Sequence, residues 1–125
     1  AGYARCAGDA GYAGCAGDAG DAGDYWRSYC LAQPGDGYFA IWRSSDTGQP
    51  SNGGEELATP AAPGVVHEAT GPLQLCHRDT LHTTYSPEKW RGSRYWLAEI
   101  FPPFIVAEDK VGTLRRRIIS EIGAQ

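Results

Sequence analysis

The chain has 125 residues, 42% of them hydrophobic, and a formal charge of −4; that length fits one domain with a modest core, and the acidic balance argues against a nucleic-acid partner. No apolar run approaches the roughly 20 residues of a membrane-spanning helix, and no charged, apolar, cleavable leader is visible. The first residue is Ala, not Met, which points to a processed chain or a fragment and leaves the compartment open.

Residues 1–24 repeat Ala-Gly-X eight times, with Arg5 as the one break, and X runs Tyr3, Cys6, Asp9, Tyr12, Cys15, Asp18, Asp21, Asp24. An α-helix would carry seven glycines at roughly 1 kcal/mol each against Ala. A β-strand would send successive X side chains to opposite faces. A left-handed helix of three residues per turn, polyproline II or polyglycine II in type, keeps Gly, Ala and X on separate edges. Proline is absent from this stretch, which argues against a collagen triple helix. The repeat is therefore expected to be an extended three-fold helix. Its edge of Gly2, Gly8, Gly11, Gly14, Gly17, Gly20 and Gly23 allows another backbone to approach closely. Such a helix has no internal hydrogen bonds, so its order has to come from copies of itself, and a homo-oligomer follows as the expected state. A flexible tail is the alternative, since Gly-rich chains behave as random coils unless packed. Neighbouring aspartates would lie about 9 Å apart, too far to share one calcium ion. Cysteines stand at 6, 15, 30 and 76. A Cys6–Cys15 disulfide would need the extended chain to fold back to a Cα separation of about 7 Å, and reduced thiols are expected.

Residues 25–37 read as an aromatic joint, and 38–125 as a small domain. Tyr38–Arg43 has strand character, Ser44–Gly54 is rich in turn residues, and Glu55–Gly64 reads as an exposed loop. Short strands are expected at Val65–Glu68 and Leu81–Tyr85. Ser86-Pro87-Glu88-Lys89 resembles a helix start, and the clearest strand is Arg94–Phe101, stopped by Pro102-Pro103, after which Phe104–Ala107 runs on to Glu108. Val111, Leu114, Ile118, Ile119 and Ile122 fall on one face at helical spacing. The spacing predicts a helix over 109–122 with Asp109 as N-cap and Gly123 as C-cap. Its Leu114, Ile118 and Ile122 would pack on a sheet containing Tyr95 and Leu97, and Arg115, Arg116 and Arg117 would lie mainly on the solvent side. The fold class so predicted is α+β: short antiparallel strands plus a C-terminal helix, preceded by the repeat.

Gly71-Pro72-Leu73-Gln74-Leu75-Cys76, Leu81-His82-Thr83-Thr84, Pro87–Gly92, Tyr95-Trp96-Leu97 and Glu108–Arg116 together resemble a group of uncharacterised tailed-phage and prophage proteins. In these a Gly-rich repeat precedes a domain of similar pattern. The resemblance covers about residues 38–122, and it implies the cytoplasm of a bacterial host, or a virion, as the setting. The relatives carry Gly-Ser, Gly-Tyr or Gly-Asp dipeptides where this chain has Ala-Gly-X triplets.

His67, Cys76, His77 and His82 are of the types that bind zinc, but their spacing fits no standard finger, and neither metal nor cofactor is expected. Cys76 as nucleophile, His82 as base and Glu99 as orienter would make a catalytic set if the fold assembled them. Leu81-His82-Thr83 compares with strand motifs lining nucleotide pockets in ADP-ribosyltransferases, which by analogy gives a small nucleotide-binding enzyme with His82 in its pocket. The reading that accounts for more of the chain is a non-enzymatic structural or binding module that self-associates through its repeat.

Overall fold

A computed structural model describes residues 25–123. Residues 25–31 form a helix, α1. Among the described residues seven strands follow, namely β1 (Tyr38–Ser44), β2 (Val66–Glu68), β3 (Leu81–Thr84), β4 (Arg94–Ile100), β5 (Phe104–Ala107), β6 (Lys110–Thr113) and β7 (Arg115–Ile122), with a 3-10 turn at Pro87–Lys89. They build one sheet in the order β2-β7-β4-β1-β3-β6-β5, and each ladder is antiparallel.

The C-terminal segment corrects the α+β expectation. Residues 109–122 are not a helix: Glu108 and Asp109 form the turn of a hairpin in which Ala107 pairs with Lys110, and two strands follow. Val111, Thr113, Ile118, Ile119 and Ile122 are β-branched and fit a pleated surface better than a helix. Arg115 to Ile118 alternate exposed, buried, exposed, buried, which is a period of two. The helical spacing of the apolar residues was a coincidence of two strands with different partners. Asp109 caps nothing helical, and its carbonyl accepts from the Tyr85 N–H at 2.7 Å. Tyr95 and Leu97 do meet this segment, but as ladder partners of Ile122 and Ser120.

The link between β6 and β7 determines the shape of the sheet. Leu114 is the one residue between them, so Thr113 and Arg115 lie at most about 7 Å apart. In a flat sheet the four spacings from β6 through β3, β1 and β4 to β7 would separate them by about 19 Å. The sheet therefore curls until one bent strand serves both of its sides, much as a barrel closes. Thr113 is fully buried and fastens the bend, its hydroxyl donating to the Phe101 carbonyl at 2.8 Å while the Phe101 N–H donates to the Arg115 carbonyl at 3.1 Å.

Register assigns the two faces. Trp42 opposite Trp96, Ala40 opposite Ala98, Ala98 opposite Ile118, and Ile100 opposite Arg116 share the inner face. Thr83 opposite Val111 belongs to it as well. Trp96 anchors it, its indole N–H donating to the Ser44 hydroxyl at 2.8 Å. A bulge in β7 at Ile119, where the pairing jumps from Leu97–Ser120 to Ala98–Ile118, bends the strand and sets Ile118 inward. The outer face carries Ile41, Arg43, Tyr95 and Leu97. The helix α1 covers part of it, with Trp26 stacked on Tyr95 at 6.0 Å and Trp26 and Cys30 in the core. Because Ile118 has no exposed surface, Ile118→Ala should lower unfolding free energy by about 3 kcal/mol. Urea denaturation of the full chain checks this, and a loss under about 1 kcal/mol would contradict the inward placement.

Candidate functional site

Two clusters of chemically capable side chains flank β6 and β7. The first is inside. Arg116 is 2% exposed, its Nε donating to His67 Nδ1 at 3.1 Å and its Nη1 to the His82 carbonyl at 3.0 Å. The guanidinium lies 4.1 Å from the Trp42 ring centroid, a cation–π arrangement in a desolvated setting. His67 Nδ1 accepts, so its Nε2 carries the proton and donates to the Thr59 carbonyl at 3.0 Å. The ring is thereby fixed neutral. Burial first, then the positive charge of Arg116, push the His67 pKa down from 6.5 to about 4, against a smaller upward pull from the Thr59 bond. Burial also brings Arg116 down to about 9, which leaves it charged at neutral pH.

The second cluster lies on the outer side of β3 and β6, under the loop 71–80. This loop is braced by its own bonds: Gly71 N–H to Asp79 carbonyl at 3.0 Å, Thr80 N–H to His77 carbonyl at 3.0 Å, and the Thr80 hydroxyl to the Pro72 carbonyl at 2.6 Å. At its tip Cys76 has a positive φ of 65°, uncommon for a residue with a Cβ. Its N–H donates to His82 Nε2 at 2.9 Å. Lys110, 6% exposed, reaches from β6 so that its Nζ donates to Cys76 Sγ at 3.4 Å. Gly112 makes the close seating possible, since a Cβ there would meet Leu75 Cδ2 at 3.0 Å and Thr80 Cγ2 at 3.1 Å.

The structure thus brings Cys76 and His82 together, but through a backbone N–H. Glu99 sits elsewhere, on β4, where its carboxylate accepts from Arg117 at 2.6 Å. His67 lies across the sheet from Cys76, with both ring nitrogens engaged. His77 Nδ1 accepts from the Asp79 N–H at 3.1 Å. Among the described residues no group of three or more His, Cys, Asp or Glu side chains is placed to hold a metal ion, and no helix is long and apolar enough to cross a membrane. The glycines at 2, 8, 11, 14, 17, 20 and 23 lie outside the described residues. Sequence reasoning missed Arg116 and Lys110. Alternation along Arg115-Arg116-Arg117-Ile118 was a signal for the first, and nothing local pointed to the second.

A third feature joins the domain to what precedes it. On α1, the Trp26 indole donates to the Glu88 carboxylate, and Arg27 donates to the Glu108 carbonyl at 2.5 Å while covering the Tyr85 ring at 4.6 Å. Cys30 packs in the core, where burial pushes its thiol up to about 12. Compared with known proteins, the chain matches no family model, no curated protein and no solved structure.

The His67 environment gives a pH dependence. A folded pKa below the unfolded value means that the unfolded chain binds the extra proton, so stability is full above about pH 6.5 and falls as pH drops toward about 4. The loss is of order 3 kcal/mol. Carboxylates titrate nearby, so the measurement is the difference in urea-unfolding slope between wild type and His67→Gln from pH 7 to 4. The variant should show the shallower loss, and equal slopes would contradict the neutral buried imidazole.

Proposed function

We propose that this protein is a non-enzymatic assembly module in which the curled sheet holds one end of the Ala-Gly-X repeat and the repeat associates with the same segment of other copies. The resemblance to tailed-phage proteins with a Gly-rich repeat before a small domain supports a phage or prophage setting for this role. The observation that carries the reading is the docking of α1. The helix follows Asp24 directly, and its Trp26 and Cys30 are core residues, so the repeat joins the domain at a fixed point. A tail that served as a tether would need no such anchorage. The engagement of His82 with the Cys76 backbone supports this reading over a nucleotide pocket built on that ring.

Sedimentation velocity of the full chain tests it. The expected outcome is a concentration-dependent homo-oligomer that Gly14→Val shifts toward monomer by putting a side chain on the glycine edge, while Asp21→Asn changes little. The melting temperature of the domain should be the same in all three. A wild-type chain that stays monomeric across the concentration range contradicts the proposal, as does an oligomer indifferent to Gly14→Val.

A further inference from the structure

The outer cluster contains a nucleophile and an amine in direct contact, and the assembly reading uses neither. Cys76 and Lys110 are 34 residues apart in sequence, and the fold sets Lys110 Nζ 3.4 Å from Cys76 Sγ. That separation lies within the range of about 3–3.5 Å from which reacting atoms approach without large rearrangement. Both partners are held. Lys110 is a ladder residue of β6, paired with Thr84 on one side and Ala107 on the other, and only 6% exposed. Cys76 is fixed by its N–H on His82 Nε2 and by the braced loop around it. It is half-buried, on a surface loop. Cys30 makes the contrast, as a core residue whose thiol burial pushes up to about 12, the inert type.

We propose that Cys76 is a site of reversible oxidation by hydrogen peroxide, and that Lys110 resolves the oxidised sulfur as a sulfur–nitrogen cross-link. The neighbouring ammonium favours the thiolate, which is the nucleophilic form. The thiolate attacks one peroxide oxygen. An S–O bond forms, the O–O bond breaks, and the departing hydroxide takes a proton from Lys110 to leave as water. Sulfur is oxidised to the sulfenic acid and the peroxide is reduced. Having given up its proton, the Lys110 amine is the nearby nucleophile and attacks the sulfur. The S–N bond forms, the S–O bond breaks, and the hydroxyl leaves as a second water with a proton from the nitrogen. In sum, one thiol, one amine and one peroxide give one sulfenamide and two waters. A small dithiol reverses the link: its thiolate attacks the Cys76 sulfur, the S–N bond breaks, the amine regains its proton, and the dithiol's second sulfur then releases Cys76 as thiol while the dithiol becomes a cyclic disulfide.

The test uses the full-length chain, treated with hydrogen peroxide, digested without reductant and read by peptide mass spectrometry. Cys6, Cys15, Cys30 and Cys76 are followed separately. The expected product joins the Cys76 and Lys110 peptides with a net loss of two hydrogens and separates again in dithiothreitol. Lys110→Arg keeps a cation but lacks a nucleophilic amine, so its Cys76 should stop at the sulfenic acid, trapped by dimedone, with no cross-link. Lys110→Met removes the neighbouring cation and should slow Cys76 oxidation severalfold. Three results would overturn the proposal: Cys76 unmodified under peroxide that oxidises free glutathione, oxidised Cys76 joined to another cysteine or left as sulfenic acid in wild type, or Lys110→Met reacting at the wild-type rate. The wild-type cross-link is decisive by itself if either variant fails to fold.

Discussion

The one-residue connection at Leu114 is the constraint from which the rest of the domain follows. Strands β6 and β7 belong to opposite sides of the sheet order, and a connection of about 7 Å cannot serve them unless the sheet closes on itself. Closure creates an interior, and that interior fixes what the inward residues of every strand must be. Trp42 and Trp96 fill its centre from β1 and β4, and Val111 and Ile118 reach it from either side of the bend. The fully buried Thr113 supplies the polar group that the bend itself needs, because a strand turning this sharply leaves main-chain carbonyls without a regular ladder partner.

Closure also explains the buried Arg116. Taking a guanidinium out of water is costly, and the two charge-bearing alternatives on the strand, Arg115 and Arg117, point outward to Glu68 at 3.8 Å and Glu99 at 2.6 Å. Arg116 is tolerated because its donors meet a neutral imidazole and a carbonyl and its flat face meets an indole, the setting to which a planar, weakly hydrated cation is suited. A lysine could not make that arrangement. The arrangement also opposes slippage of β7 against β2 and β4, since a one-residue shift would turn Arg116 outward and drive Arg115 or Arg117 inward.

The strands with their own aromatic and β-branched runs were legible: Tyr38–Arg43 and Arg94–Phe101 read as strands, and the strands observed there, Tyr38–Ser44 and Arg94–Ile100, pair with each other over seven positions. Residues 110–122 misled because Val111, Leu114 and Ile118 keep a helical spacing by accident, while the decisive fact, that β6 and β7 have different neighbours, is tertiary. Arg116 was hidden by its own kind, since three consecutive arginines look like a solvated run until the alternation of β7 is known. The Cys76–His82 contact lies six residues apart and was weighed as chemistry from the sequence. The Cys76–Lys110 contact depends on β3 pairing with β6 and on the absence of a side chain at Gly112, neither of which a local pattern encodes.

The two described thiols show how the same residue type is given opposite properties by position. Cys30 sits in the core on α1, one turn after the Trp26 that stacks on Tyr95, and its burial serves packing. Cys76 sits where a loop meets β6, and the same sheet presents a lysine to it. Both positions are outside the closed interior, on surfaces that exist because the sheet has already curled. Inside, polar groups are satisfied in pairs, Arg116 on His67 and the Trp96 indole on Ser44, whereas the outer face carries a packed helix in one place and a thiol–amine pair in another. A chemical change at Cys76 would therefore act on the loop 71–80 and on the β3–β6–β5 side of the sheet, while α1 reaches that side through the Arg27 bond to Glu108 at the β5–β6 turn. At that turn α1 and the hairpin bearing Lys110 meet, and Tyr85 adds a second contact, its ring covered by Arg27 and its N–H donating to the Asp109 carbonyl at 2.7 Å.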